Sequence, residues 1–224
     1  MRLSVHTIRK GEGVAAFAVL LGFVVILQVL GGAYASGFGG HPDEPAHLVT
    51  SLMVRDFLAD VKFHHPWQFA QEYYYHYPKV AVGHWPPVFY GALGIWSLLV
   101  GASRGAALMF NAILAATTAS VIYFTGKRLI GRWAGILAAV LFVASPLVQD
   151  SSARVMTEHL STLEMLVSTL SFARFTRTGQ IGDGLAFGVV AALAILTHGN
   201  AWALGLVPGL TIALTKRWWL LRQW

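Results

Sequence analysis

The 224 residues include no cysteine. Disulfides and thiolate metal sites are therefore excluded. Charge is also scarce. Asp, Glu, Lys and Arg make up 12% of the chain, about half the roughly 25% of an average soluble domain. Apolar residues fill the gap, at 56%, with a mean hydropathy of +0.60. That composition excludes a disordered chain and argues against an ordinary soluble domain. The class is integral membrane protein. The net charge of +6 is spread between apolar segments rather than gathered in one patch. It suits membrane topology and not a nucleic-acid partner. No internal repeat and no low-complexity segment is present.

A span of the hydrocarbon core needs about 20 apolar residues. The first such run is 13–35, preceded by Arg2, Arg9 and Lys10. Ala33-Tyr34-Ala35 resembles a signal cleavage site, but the run exceeds the roughly 7–15 residues of a signal core, so an uncleaved anchor is expected. Further apolar runs follow at 88–102, 105–126, 133–147, 160–173, 184–197 and 200–214. The run 88–102 is short. If it crossed fully, Lys127, Arg128, Arg132, Arg174 and Arg177 would lie outside. If it does not, 11 of the 16 Lys and Arg fall on the inner side, as the positive-inside rule requires. The expectation is an all-α protein of about six transmembrane helices, with both termini cytoplasmic. Residues 1–12 form a tail, 13–36 the first span, 37–104 a long external loop containing interfacial helices, 105–214 the remaining spans, and 215–224 a cytoplasmic end.

The external loop departs from the rest in composition, and a polar loop this long is usually functional. In His41-Pro42-Asp43-Glu44-Pro45, Pro45 suits a first helical turn. The spacing predicts a helix over 45–60, with Val49, Met53 and Phe57 on one face. Asp43 and Glu44 then sit at its positive end, either as capping acids or as functional ones. Two adjacent acids between prolines favour function. Tyr74 and Tyr75, in Glu72-Tyr73-Tyr74-Tyr75-His76-Tyr77, fit an interfacial belt or a lining for a sugar or lipid head group. His84, in Gly83-His84-Trp85-Pro86-Pro87, fits a hydrogen-bond donor or a metal ligand. Six histidines in the loop invite a zinc site, but no His-Glu-x-x-His occurs and His64-His65 lacks helical ligand spacing.

Two further external segments carry polar groups. Arg154 precedes Glu158 by four positions, which on a helix puts both on one face. The pair is either a local ion pair or a site in which Arg154 meets a phosphate, to which its fork is suited. His198, in Thr197-His198-Gly199-Asn200, sits at a span end, either resting in the interface or reaching an active site.

In order and spacing, these features resemble the GT-C superfamily of membrane glycosyltransferases. Within it they are most similar to the bacterial branch related to protein O-mannosyltransferases and the lipid A aminoarabinose transferase. The resemblance rests on the acidic pair Asp43-Glu44, the proline-rich His84-Trp85-Pro86-Pro87, Arg154 with Glu158, and the turn Thr197-His198-Gly199. It implies a polyprenyl-phosphate-linked sugar donor, an acceptor at the external face and a plasma-membrane location. It also implies that Asp43, with Glu44 beside it, acts at the acceptor as a base or through a metal, with Glu158 as a second acid. A hard divalent ion, Mg²⁺ or Mn²⁺, would suit the Asp43 and Glu44 oxygens. Relatives often carry lysine where this chain has His198. Family members are longer, so the chain resembles their N-terminal catalytic module alone, a piece of a longer enzyme.

Two other classes use the same residues differently. A transporter or lipid-binding protein would hold a substrate with these membrane-edge charges. Transporters usually show inverted repeats and interrupted midplane helices, and the sequence shows neither. An inactive scaffold from a truncated reading frame would instead bind a partner subunit.

Overall fold

The computed structural model describes residues 11–38, 40–60 and 65–216. The basic residues Arg2, Arg9, Lys10, Lys62, Arg217 and Arg222, most of the expected cytoplasmic ends, and the His64 half of the histidine pair lie outside them. All regular structure among the described residues is helical. The expected all-α membrane architecture is what the chain adopts. Two units divide it, one of residues 1–81 with 90–159, the other of 82–89 with 160–224.

The first unit is built on a helical hairpin and an added span. Helix α1 is Glu12–Leu30, and after the loop helices α2 (Asp43–Ala59), α3 (Pro66–His76) and α4 (Val88–Val100) comes α5, Arg104–Leu129. Helix α6 is Arg132–Ala144 and α7 is Pro146–Ser152. Helices α1 and α5 are long and apolar enough to cross a membrane, and α6 with α7 makes a third candidate bent by 56°. The bend falls at Ser145-Pro146, where proline lacks the N–H that would continue the helix. Helix α4 has 13 residues, about 20 Å at ~1.5 Å per residue, against the roughly 30 Å of a hydrocarbon core.

Polar contacts fix how these helices run. Glu12 Oε1 accepts from Tyr123 Oη at 2.8 Å and from Lys127 Nζ. At the other end of α1, Gln28 Nε2 donates to Leu108 O at 3.2 Å and Ser152 O at 2.7 Å. The start of α1 thus meets the end of α5, so the two are antiparallel. Their core is small: Leu20, Val24, Ala112, Ala115, Ala116, Ala119, Ala139 and Val143. Without a hydrophobic drive between helices in lipid, small residues that permit close approach take over. The extreme is Gly135 of α6. A Cβ there would lie 2.4 Å from Tyr123 O and 2.8 Å from Lys127 N.

Helix α2 starts two residues earlier than the spacing predicts, at Asp43, and neither acid's side chain caps its N-terminus, where the Asp43 N–H goes to His41 Nδ1. The acids are therefore not caps. The expected stripe of Val49, Met53 and Phe57 is only half-buried. The buried face holds Glu44, His47, Leu48 and Ser51 instead. Helix α4 lies on that face, and a Cβ on its Gly94 would meet Ser51 O at 3.0 Å.

In the second unit, helix α8 (Glu158–Thr178, from residue 160), helix α9 (Ile181–Ile195), a 3-10 turn at Gly199–Gly205 and helix α10 (Leu206–Thr215) follow. Phe172, Phe175, Phe187, Ala191, Ala194, Ala201, Leu204 and Ile212 form its core.

Candidate functional site

The expected acids separate sharply in environment. Asp43 has a side chain 42% exposed, with Oδ2 3.8 Å from His41 Nδ1. Its backbone N–H donates to the same nitrogen at 3.3 Å. Glu44, one residue on, is fully buried. Its Oε1 accepts from Arg104 Nε at 2.8 Å and from the Val155 N–H at 3.1 Å. Glu44, expected to act beside Asp43, is thus turned away from it, because helical geometry sets adjacent side chains about 100° apart. One acid faces outward and the other faces the interior.

Arg104 is the hub of that interior. Besides Glu44, it donates through Nη1 to Ala33 O at 2.6 Å and through Nη2 to Ala153 O at 2.9 Å. One guanidinium thereby joins the turn after α1, the start of α2, the start of α5 and the segment after α7. The sequence reading left Arg104 unassigned. Its signal was there: a lone arginine between two apolar runs needs an acid near the membrane edge.

The segment 153–157 is not helical, which corrects the expected placement of Arg154 and Glu158 on one helical face. Its backbone is spent on side chains instead. Ala153 O takes Arg104, Arg154 O takes Asn111 Nδ2 at 2.6 Å, and Val155 N–H goes to Glu44. Arg154 pairs backward with Asp150 Oδ1 at 2.8 Å and keeps its side chain 27% exposed. Glu158 opens α8, with Oε2 buried and without a hydrogen-bond partner. Glu158 is three steps along the chain from Val155, so at most about 11 Å of chain links it to the Glu44 anchor. The structure thus brings Glu158 to the neighbourhood of the α2 N-terminus.

Two residues missed in the sequence reading complete this region. His47 Nδ1 and Tyr90 Oη share a hydrogen bond of 2.9 Å, and both side chains are buried. Burial first, then the negative charge of Asp43, push the Tyr90 phenol above its ordinary value. Asp43 and His47 lie four residues apart on α2, on one side of the helix.

Helix α3 presents Tyr74 and Tyr75, 51% and 83% exposed, together with Trp67 at 66%. It is Tyr73 that turns inward, donating to Asp56 Oδ2 at 2.9 Å and stacking on Phe69 and Tyr77. The exposed pair fits an interfacial belt as well as a lining.

In the second unit, His84 is exposed and lies edge-on to Trp85 at 4.5 Å. His198 precedes the 3-10 turn, and its Nδ1 accepts from Asn200 N–H at 3.2 Å. Val88 N–H donates to Leu196 O at 3.0 Å, which draws the His84 and His198 segments together. Glu164 of α8 is buried against Thr197, with Oε2 unpartnered.

Among the described residues no group of three or more His, Asp or Glu is placed to hold a metal ion. Glu44 Oε1 is committed to Arg104, which leaves Asp43 as the accessible carboxylate of the pair.

Comparison with known proteins gives one match. The sequence model described as dolichyl-phosphate-mannose-protein mannosyltransferase matches residues 84–224, more than half of the chain. That stretch contains His84, Arg104, Arg154, Glu158 and His198, and leaves Asp43 and Glu44 outside. No curated protein and no solved structure matches.

Proposed function

The chain belongs to the dolichyl-phosphate-mannose-protein mannosyltransferase family, membrane glycosyltransferases of the GT-C type, and on that premise we propose that it moves a sugar from a polyprenyl-phosphate-linked donor to an acceptor at the external membrane face. The observation that carries this reading is the division of labour at the start of α2. Asp43 is accessible, and its neighbour Glu44 is buried and paired with Arg104.

The reaction needs a proton taken from the acceptor and a charge steadied on the departing phosphate. Asp43 takes the acceptor O–H or N–H proton. The acceptor atom bonds to the anomeric carbon as the carbon–oxygen bond to phosphate breaks, and that electron pair leaves with the polyprenyl phosphate. Arg154, partly exposed beside Asp150, is the cation for that phosphate, and its fork matches phosphate oxygens. Glu158 is the second acid, directed at the sugar or acceptor. Tyr74 and Tyr75 seat α3 at the lipid head groups. Glu44 positions Asp43 through Arg104.

The membrane arrangement belongs to the same proposal: about six spans, α4 not crossing, both ends cytoplasmic, and a plasma-membrane location. It is supported by the bond between Glu12 and Lys127, which puts the start of α1 and the end of α5 on one side. The test is transfer from radiolabelled polyprenyl-phosphate mannose to endogenous acceptors in vesicles carrying the chain. Label should leave the lipid fraction at a rate above vesicles without it. Equal rates, in this chain and in a longer relative with the same module, would reject the transferase.

A further inference from the structure

The contact between α2 and α4 has an order that simple packing does not require. Tyr90 of α4 meets His47 of α2, and Gly94 of α4 meets Ser51 of α2. Both steps are four residues, so the two contact points follow each other in the same direction along α2 and α4, one turn apart on each helix. At Gly94 the approach is set by the missing side chain, since a Cβ would stand 3.0 Å from Ser51 O. At Tyr90 it is set by a specific hydrogen bond of 2.9 Å, with the rings stacked at 5.8 Å between centroids. The next position of this face toward the start of α2 is Asp43. Its side chain is 42% exposed, with the His41 ring 3.8 Å away.

We propose that the His47–Tyr90 hydrogen bond is a positioning element for Asp43, registering the first turn of α2 against α4 so that the carboxylate stands where the acceptor proton is taken. The inference rests on the reading of Asp43 as the proton acceptor. It assigns His47 and Tyr90 a place in the reaction that acts only through Asp43. Two ties then hold that turn from different sides: Glu44 to Arg104, and His47 to Tyr90. The first anchors the helix end to α5 and the 153–155 segment. The second sets its rotation about the helix axis, because a hydrogen bond of one length between two buried side chains permits little turning. A proton acceptor displaced by about 1 Å loses on the order of 10²-fold in rate, so a modest rotation matters.

Tyr90→Phe removes the hydroxyl and keeps the ring, and His47→Phe removes the partner. Transfer from radiolabelled polyprenyl-phosphate mannose by the full chain in vesicles is the first readout. Tyr90→Phe should lower the maximal rate by roughly 10- to 10²-fold and leave the half-saturating donor concentration unchanged. In the Asp43→Asn background the same substitution should cost nothing further, since two residues acting as a unit are not additive. An equal fractional loss in both backgrounds would make the pair structural and overturn the proposal. A second readout does not depend on transfer. Carbodiimide coupling at Asp43, read by mass spectrometry against exposed Glu72, should change several-fold in Tyr90→Phe at Asp43 only. Unchanged coupling at Asp43 would overturn the positioning role whatever the transferase assay shows. Asp43→Asn with wild-type rate would instead overturn the reading on which the proposal rests.

Discussion

At the scale of single residues, neighbours in sequence have opposite fates. Asp43 and Glu44 were legible as a pair because two acids between prolines at a membrane edge are unusual. Their division was not legible, since the partner that buries Glu44 is Arg104, sixty residues later. The prediction follows from burial. Removing one member of a buried ion pair strands the other, at a cost of about 3–5 kcal/mol. Glu44→Gln and Arg104→Met should each lower the melting temperature in detergent by on the order of 10 °C, and the double variant should lose less than the sum. Asp43→Asn should leave the melt unchanged. A Glu44→Gln variant as stable as the parent would show that the pair does not hold the loops together. Arg154 illustrates the converse. The four-residue step to Glu158 read as helix, but the backbone of 153–155 is claimed by Arg104, Asn111 and Glu44, and local spacing carries no trace of such distant bonds.

At the scale of elements, continuous apolar runs announced α1 and α5 well, because length and hydropathy alone define a span. Helix α2 was also expected, but its buried face was not. Apolar periodicity finds an apolar face, whereas α2 buries Glu44, His47 and Ser51 against polar partners. Small residues were the other silent signal. Helix α5 passes so close to Gly135 that a Cβ there would overlap Tyr123 O, so only glycine fits. These are backbone atoms and cannot turn aside. Gly135→Val should therefore separate α5 from α6 and destabilise the fold by at least about 1–3 kcal/mol. Gly22→Ala on α1, where a Cβ meets nothing within 4 Å, should be neutral or stabilising by about 0.5–1 kcal/mol. Thermal unfolding of the two variants side by side checks this. A tolerated Gly135→Val would contradict the close crossing.

At the scale of the whole molecule, charge distribution across the sequence already placed Lys127 on the same side as the N-terminus. The ion pair between Glu12 and Lys127 supports that placement by contact rather than by statistics. A reporter fused after Lys127 should register in the cytoplasm, and one in the loop at Glu72 outside. An external signal at Lys127 would mean that α4 crosses fully and would carry Asp43 and Glu158 to opposite faces. The central claim is that the open carboxylate at the start of α2 takes the acceptor's proton. Its most direct test is the rate of mannose transfer from the labelled polyprenyl phosphate by Asp43→Asn, which keeps the shape and removes the basicity. The account predicts a loss on the order of 10²–10⁴-fold with the melting temperature and membrane level of the parent. Transfer at the parental rate by a folded Asp43→Asn protein would contradict it.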